Sequence, residues 1–457
     1  MSTKELKNIE DVKKLIKQRE ITRVKLAATD IDGVLRGKYI NTKKFLSSLE
    51  NKLGFCDVIF GWDSEDELYK EDSITGWRDA YPDAMATIDI SSCRELPDEK
   101  NTLLFLMDFE KGGKHKDVCP RTLLKNILNE AKSMGYSFSA AAEFEFFLFS
   151  EDAKSVREKN YQNLENFTPG MFGYSLLRSG VHSDFYHELL DMCETMEMPL
   201  EGIHTETGPG VIETAIEYDE ALRSADNAAL FKTFTKIFAQ QRGLMATFMA
   251  KWSNNYPGQS GHLHISAKKE NGESLFYDES KPHKISDEMR YFIGGQQKLM
   301  PEILAMIAPT CNSYTRLIPG FWAPTQATWG VDNRTCALRA IVGSPKSQRV
   351  EYRVTAADIN PYIALGAAIG SGLWGIKNRI EPTKPIEGNA YEAKLQKEFS
   401  FPRNLFEAAQ KLENSDTAKE IFGEVFVNHY ALTRKHEADE ELKAITDWQL
   451  KRYFEII

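Results

Sequence analysis

The chain has 457 residues, 42% of them hydrophobic, enough for one large or two ordinary domains with a substantial core. Its formal net charge of −10 excludes the basic stripe that a nucleic-acid partner needs. Six scattered cysteines with no C-x-x-C pair, a charged first segment, and no apolar run of the roughly 18 residues needed to cross a membrane predict a cytoplasmic protein with reduced thiols, no signal peptide and no membrane span.

In chain order, Leu6, Ile9, Val12, Leu15 and Ile16 recur at helical spacing, which predicts a helix over 4–19. Val24 to Asp32 reads as a strand, turning at Asp32-Gly33 into a second strand near Lys38–Ile40. A helix is expected over 41–53, a loop over 61–84 and a strand over 103–109. The turn-rich segment Lys111-Gly112-Gly113-Lys114 is followed by Cys119-Pro120-Arg121, where proline suits the first turn of a helix. A boundary near residue 118 therefore separates a small N-terminal domain, 1–118, from a larger one, 119–457. In the larger part, helices are expected over 121–134, 183–196, 218–242, 286–307 and 361–380, alternating with short strands. Residues 382–402 lack periodicity and read as a surface loop, and helices close the chain. The fold class is α+β.

Four of the short pieces carry the chemistry. They are Glu143-Phe144-Glu145-Phe146, then Glu206 to Glu213 around Gly208-Pro209-Gly210, then His262-Leu263-His264, then Arg349-Val350-Glu351-Tyr352-Arg353. In a strand, residues i and i+2 share a face, so Glu143 projects with Glu145, His262 with His264, and Glu351 with its two arginines. Taken singly, each piece also fits a solvated strand or a structural ion-pair ladder. Five carboxylates, an imidazole and several guanidiniums aimed into one volume need counter-ions, and hard divalent cations with a polyphosphate would supply them.

These four pieces, in this order and at these separations, resemble the glutamine synthetase family. Further stretches are similar to that family's motifs: Ala246-Thr247-Phe248-Met249-Ala250-Lys251, Asn312-Ser313-Tyr314-Thr315-Arg316 running to Pro319-Gly320, Asn333-Arg334 with Arg339, Ser344-Pro345-Lys346 and Asn360-Pro361-Tyr362. The resemblance covers roughly residues 22–380. It implies a small β-grasp-like N-terminal domain followed by a large catalytic domain with a curved antiparallel sheet and helices. It also implies a homo-oligomeric hexameric ring or double ring whose sites are shared between neighbours.

Residue by residue, the resemblance implies that Glu145, Glu206 and Glu213 hold one Mg2+ or Mn2+ ion and that Glu143, His262 and Glu351 hold a second. ATP, the co-substrate, would meet His264, Ser266, Lys346, Arg349 and Arg334. Arg334 and Arg339 would face the transferring phosphate, with Glu351 beside them in the catalytic set. Arg316, Arg353 and Gly258 would bind glutamate. The implied reaction forms γ-glutamyl phosphate, which a nitrogen nucleophile then attacks.

The sequence departs from the ammonia-using pattern in one informative place. Where those enzymes carry glutamate in P-G-Y-E-A-P, this chain has Pro319-Gly320-Phe321-Trp322-Ala323-Pro324. The D-G-S-S motif is also absent; the nearest stretches are Gly61-Trp62-Asp63-Ser64 and Glu71-Asp72-Ser73-Ile74. Pro257 stands where asparagine often precedes the histidines. The segments around Trp329–Thr335 and Thr446–Tyr453 look like the branch that joins glutamate to organic amines, the γ-glutamylpolyamine type. The expectation is therefore an ATP-dependent glutamate–amine ligase with Trp322 at the amine. The alternatives are a glutamine synthetase with a rebuilt ammonium site and a non-catalytic relative; for Trp322 itself the alternative is a residue that plugs a loop against the core while another acid, Asp63 or Glu65, serves the amine. Tyr391 lies where some members carry a regulatory tyrosine, but its flanks read as an ordinary loop.

Overall fold

A computed structural model describes residues 3–51, 53–70, 74–109, 113–320 and 322–457. Glu71-Asp72-Ser73, Lys111-Gly112 and Phe321, which enter the expectations above, lie outside the described residues. The first sheet is built from β1 (Arg23–Thr29), β2 (Leu35–Asn41), β3 (Leu53–Cys56), β4 (Asp83–Ile88), β5 (Arg94–Glu95) and β6 (Thr102–Asp108). Their order is β2-β1-β6-β4-β3 with β5 on β6, and only β1 and β6 run parallel among these pairs. The helices Ile9–Gln18 and Thr42–Glu50 bury Val12, Leu15 and Phe45 in one core with Leu26, Phe105 and Phe109, a β-grasp-like arrangement.

The second sheet carries the site. Its strands are β7 (Tyr136–Phe149), β8 (Leu200–Thr205), β9 (Val211–Ile216), β10 (Asp219–Glu220), β11 (Met245–Thr247), β12 (Gly261–Lys269), β13 (Trp329–Val331), β14 (Leu338–Ile341) and β15 (Arg349–Tyr352). The order is β13-β14-β15-β12-β7-β9-β8, with β10 and β11 also on β7. All of these pairs are antiparallel except β13–β14.

Strand β7 shows why one face is core and the other is site. Phe138, Ala140, Ala142, Phe144 and Phe146 are buried, while Ser139, Ala141, Glu143 and Glu145 alternate with them and stay partly open. The buried face packs on the helices Pro120–Ser133 and Ala221–Gln240, and the nearly all-apolar helix Pro361–Asn378 fills the space behind. From Phe146 to Phe149 both faces are closed, and Phe147 and Phe149 form a separate cluster with Val211 and Trp252.

The helix expected over 286–307 stops at Leu299, and the chain re-forms only a short 3-10 turn at Leu304–Met306. Pro301 supplies the reason, since its ring clashes with a helical backbone and it has no N–H to donate. The loop expected over 382–402 is a loop with two 3-10 turns, Ala390–Glu392 and Lys397–Phe399. Among the described residues, no helix is long and apolar enough to cross a membrane.

The two sheets are joined by buried polar contacts. Arg121, one residue inside the helix that begins at Pro120, donates through Nε and Nη2 to both oxygens of Asp226 at 2.9 Å, through Nη1 to Asp108 at 2.9 Å and through Nη2 to Asp89 at 2.7 Å. Tyr362 adds a 2.7 Å hydrogen bond to the same Asp226. Asn360 donates to the carbonyls of Asp30 and Ile31 at 3.1 and 3.2 Å, across a turn where Gly33 sits at φ +83°. A Cβ there would stand 3.0 Å from the Asn360 backbone, so the hairpin can reach the helix only because residue 33 is glycine.

Replacing Arg121 by alanine removes the guanidinium shared by the buried Asp108 and Asp226, leaving Lys125 at 2.7 Å from the first and the Tyr362 hydroxyl at 2.7 Å from the second. It is expected to cost about 3–5 kcal/mol of stability, read as a lower denaturation midpoint. Arg78→Ala, at an exposed residue whose pair with Asp79 is 2.9 Å long, should cost less than about 1 kcal/mol.

Candidate active site

Strand register assembles the site. On β7, Glu143 faces His262 of β12, and one step along, His264 faces Glu351 of β15, which in turn faces Arg339 of β14. On the other side of β7, Glu145 faces Glu213 of β9, and Glu213 faces His204 of β8. Cross-strand partners on one face lie about 5 Å apart, so two rows of ligating side chains stand side by side.

In the first row, His262 Nδ1 lies 3.5 Å from Glu143 Oε2 and 3.4 Å from Glu351 Oε1, and His264 Nε2 lies 3.3 Å from Glu143 Oε2. Arg349 Nε donates to His264 Nδ1 at 3.2 Å, so the proton of a neutral His264 is on Nε2, toward Glu143. Glu143, His264 and Glu351 offer donor atoms within 4.8 Å of one another. His264, expected beside the nucleotide, is thus equally close to the cation-binding carboxylates.

In the second row, His204, Glu206 and Glu213 offer donor atoms within 4.8 Å of one another. Glu145 adjoins this group but is turned toward the chain, and its Oε2 accepts the Ser260 N–H at 2.8 Å. His204 was not among the residues singled out from the sequence. The signal was there, since His204-Thr205-Glu206 alternates as His262-Leu263-His264 does, but one histidine at a strand end carries little weight alone.

The arginines divide by role. Arg339 donates to Glu351 Oε2 and to Asp332 Oδ1, both at 3.0 Å. Arg353 pairs with Glu351 Oε1 and donates from Nε to the Arg334 carbonyl at 3.1 Å. Arg316 is buried and donates to the carbonyls of Val354 at 2.9 Å and Arg353 at 3.4 Å. Gly258 lets it lie there, because a Cβ at that position would meet Arg316 Cγ at 2.7 Å and the Ala250 carbonyl at 2.6 Å.

A cleft of about 670 Å³ opens beside the first row, lined by Glu143, His264, Ser266, Lys346 and Arg349 among others. That volume suits a nucleotide-sized ligand, and it gathers four of the five residues expected at ATP. Arg334 lies elsewhere, exposed in a shallower hollow with Asn333 and Gly388. Trp322 is exposed on a turn at φ +58°. Asp63 is engaged within its own chain, accepting backbone N–H groups of Glu65 and Glu67 and lying 3.2 Å from His436 Nε2, whereas Glu65 is exposed.

The electrostatics of the site are those of a cation-binding site. Burial, aided by Arg353, pushes His262 down to about 4 against the pull of Glu143 and Glu351, so the imidazole is neutral at physiological pH. Burial works to raise Glu351, but the charges of His262, Arg353 and His264 hold it down at about 2. Burial also opposes ionisation of Glu143, yet hydrogen bonds with His262 and His264 keep it well below the usual carboxylate range. A neutral His262 supplies little charge there, so the hydrogen bonds decide that direction. Glu213 goes the other way, pushed up to about 9 by burial and by Glu145, Glu143 and Glu206. Burial pushes Glu145 up as well, against its bonds from Ser260. His262 Nε2 is buried with no hydrogen-bond partner. Crowded carboxylates, the neutral imidazole of His262 and its orphaned ring nitrogen fit divalent cations.

The family profile "Glutamine synthetase, catalytic domain" matches residues 117–453. The chain is 46% identical to type-1 glutamine synthetase 2 of Dictyostelium discoideum over 99% of its own length and 87% of that protein's. It is 35% identical to glutamate–isopropylamine ligase of a Pseudomonas species over the full length of both. It is 34% identical to γ-glutamylethanolamide synthetase GlnA4 of Streptomyces coelicolor over 98% of this chain and 96% of that one. Among solved structures, ligand-free GmaS superposes with a TM-score of 0.84 at 24% identity, covering 96% of this chain and 98% of that chain, which establishes the shared fold. With the fold, the two rows of carboxylates and histidines and these similarities together, the chain belongs to the glutamine synthetase family of ATP-dependent carbon–nitrogen ligases.

Proposed function

We propose that this protein joins the γ-carboxylate of glutamate to an organic amine, using ATP and passing through γ-glutamyl phosphate. The observation that carries the choice of amine is Trp322 in the place where ammonia-using members carry a glutamate. Two relatives named for organic amines, at 35% and 34% identity over nearly the whole chain, support it. The 46% identical relative named a glutamine synthetase supports the second reading, ammonium as nucleophile on a rebuilt site.

The residues have distinct tasks in this reading. His264, Ser266, Lys346 and Arg349 hold ATP in the cleft. Arg316 and Arg353 grip glutamate, since a guanidinium fork matches a carboxylate as an ammonium cannot. The γ-carboxylate attacks the γ-phosphorus, and Arg334 and Arg339 steady the charge of the phosphoryl group in flight. Bound Mg2+ or Mn2+, held by Glu145, Glu206 and Glu213 and by Glu143, His262 and Glu351, would neutralise phosphate charge. The amine then displaces phosphate, with its substituent against Trp322. An active ring of subunits and a cytoplasmic setting belong to the same proposal, the latter supported by six unpaired cysteines.

Three outcomes are expected. Glu145→Ala should abolish turnover while preserving the fold, and excess chelator should do the same to the wild type; activity surviving both would refute metal dependence. Arg316→Lys should raise the KM for glutamate, measured by saturation curves at fixed ATP. On the amine, each methylene packed on Trp322 is worth roughly 0.8 kcal/mol, so three carbons give about fifty-fold preference over ammonia. The ratio of kcat/KM for ammonium and a set of mono- and diamines checks this, and ammonium leading that set would select the second reading.

A further inference from the structure

We propose that His204 is a metal ligand, completing with Glu206 and Glu213 a cation site on the β8–β9 hairpin. The inference rests on the ligase reading for the use of that cation, but ligation itself is a property of the folded chain and can be measured without turnover.

The tautomer makes the case. His204 Nδ1 lies 3.1 Å from the Thr205 carbonyl oxygen. A carbonyl can only accept, so Nδ1 carries the proton, and in the neutral ring Nε2 presents a lone pair. Glu213 Oε2 is 3.9 Å from that nitrogen. At 3.9 Å no hydrogen bond joins the two atoms directly. A cation between them would join them. Donors about 2.1 Å from a shared ion stand roughly 3–4 Å from each other, which is the spacing seen. Donation of Nδ1–H to a backbone carbonyl is the arrangement that orients a histidine ligating through Nε2.

The ring is also held from outside the cluster. Tyr174 stacks on it, with centroids 4.3 Å apart and an interplanar angle of 27°. Tyr174 adopts φ +55°, a left-handed conformation unfavourable for an aromatic residue. Thr205 maintains it: its carbonyl accepts the Tyr174 N–H at 2.7 Å, and its hydroxyl accepts the Ser175 N–H at 2.9 Å and donates to the Phe172 carbonyl at 2.9 Å. Strain of this kind, kept in place by several bonds, fits a positioned functional group. An imidazole beside two carboxylates would favour Mn2+ or another transition ion over Mg2+ at this site.

The competing explanation is an imidazolium that forms an ion pair with Glu206 and Glu213 and binds no metal. The test uses the full-length protein, Mn2+ as the probe, and continuous-wave EPR titration with pulsed EPR to detect imidazole nitrogen on Mn2+. His204→Ala is expected to weaken one Mn2+ site about 10-fold or more while leaving the other unchanged. It should also reduce the imidazole nitrogen signal at saturating Mn2+ and narrow the Mn2+ over Mg2+ preference. If alanine unfolds the chain, His204→Gln is expected to give the same loss of signal with the ring of Tyr174 still supported. An unchanged Mn2+ affinity with an unchanged nitrogen signal overturns the proposal. So does a wild-type protein in which imidazole nitrogen is found on only one of two bound Mn2+ ions. Failure of the ligase reading would appear separately, as no phosphate release with any amine.

Discussion

Mutual repulsion among carboxylates on neighbouring strands is the constraint around which this molecule is arranged. Strands in a sheet lie about 4.8 Å apart, and β7 places Glu143 and Glu145 between β12 and β9, with Glu213 directly across from Glu145. No apolar packing relieves that crowding. Arg339 and Arg353 offset it at Glu351, and the two histidines of β12 do so at Glu143. Around Glu213 no comparable cation stands among the described residues, and its carboxyl is pushed up to about 9. The unequal neutralisation of the two rows leaves the site short of a closed network of ion pairs, as the proposed binding of ions and phosphates requires.

Such a site needs a stiff frame, because a displaced carboxylate would pair with the nearest arginine instead. The frame is the opposite face of the same strands. Phe144 and Phe146 pack with Phe231 and Phe248, so Glu145 is anchored by the aromatic residues on either side of it in sequence and Glu143 by Phe144 and the buried Ala142. The small sheet is tied to this frame by Arg121 and Asp226, and on another side by Arg434, which pairs with Asp32 and donates to the Pro309 carbonyl at 2.7 Å. The hairpin carrying Asp30 and Asp32 is therefore coupled to the C-terminal helices as well as to helix Pro361–Asn378.

Family membership and substrate choice rest on different parts of the molecule. In the proposed reaction the two rows of carboxylates and histidines and the arginines serve the chemistry of glutamate and ATP, and a change there would remove it. The proposed choice of an organic amine rests on the turn around Gly320 and Trp322, where the chain is exposed and backbone dihedrals are left-handed. A surface turn can exchange residues without disturbing the core, which is how one fold serves different amines.

Much of this was legible in the residues. Alternation on β7, β12 and β15 assigns Glu143 with Glu145, His262 with His264, and Glu351 with its arginines to one face of their strands, because a strand has a period of two and a buried opposite face leaves no other choice. The start of the helix at Pro120 and the hairpin turn at Gly33 were readable for similar local reasons. What the sequence could not determine was register across strands. His204 joins the site only because β8 pairs with β9 so that it faces Glu213. Arg121 meets Asp226 across more than a hundred residues of chain. Gly258 matters only through the approach of Arg316. Local periodicity is written in adjacent residues, whereas the partner of each side chain is decided by how distant strands and helices pack, and that belongs to the tertiary structure alone.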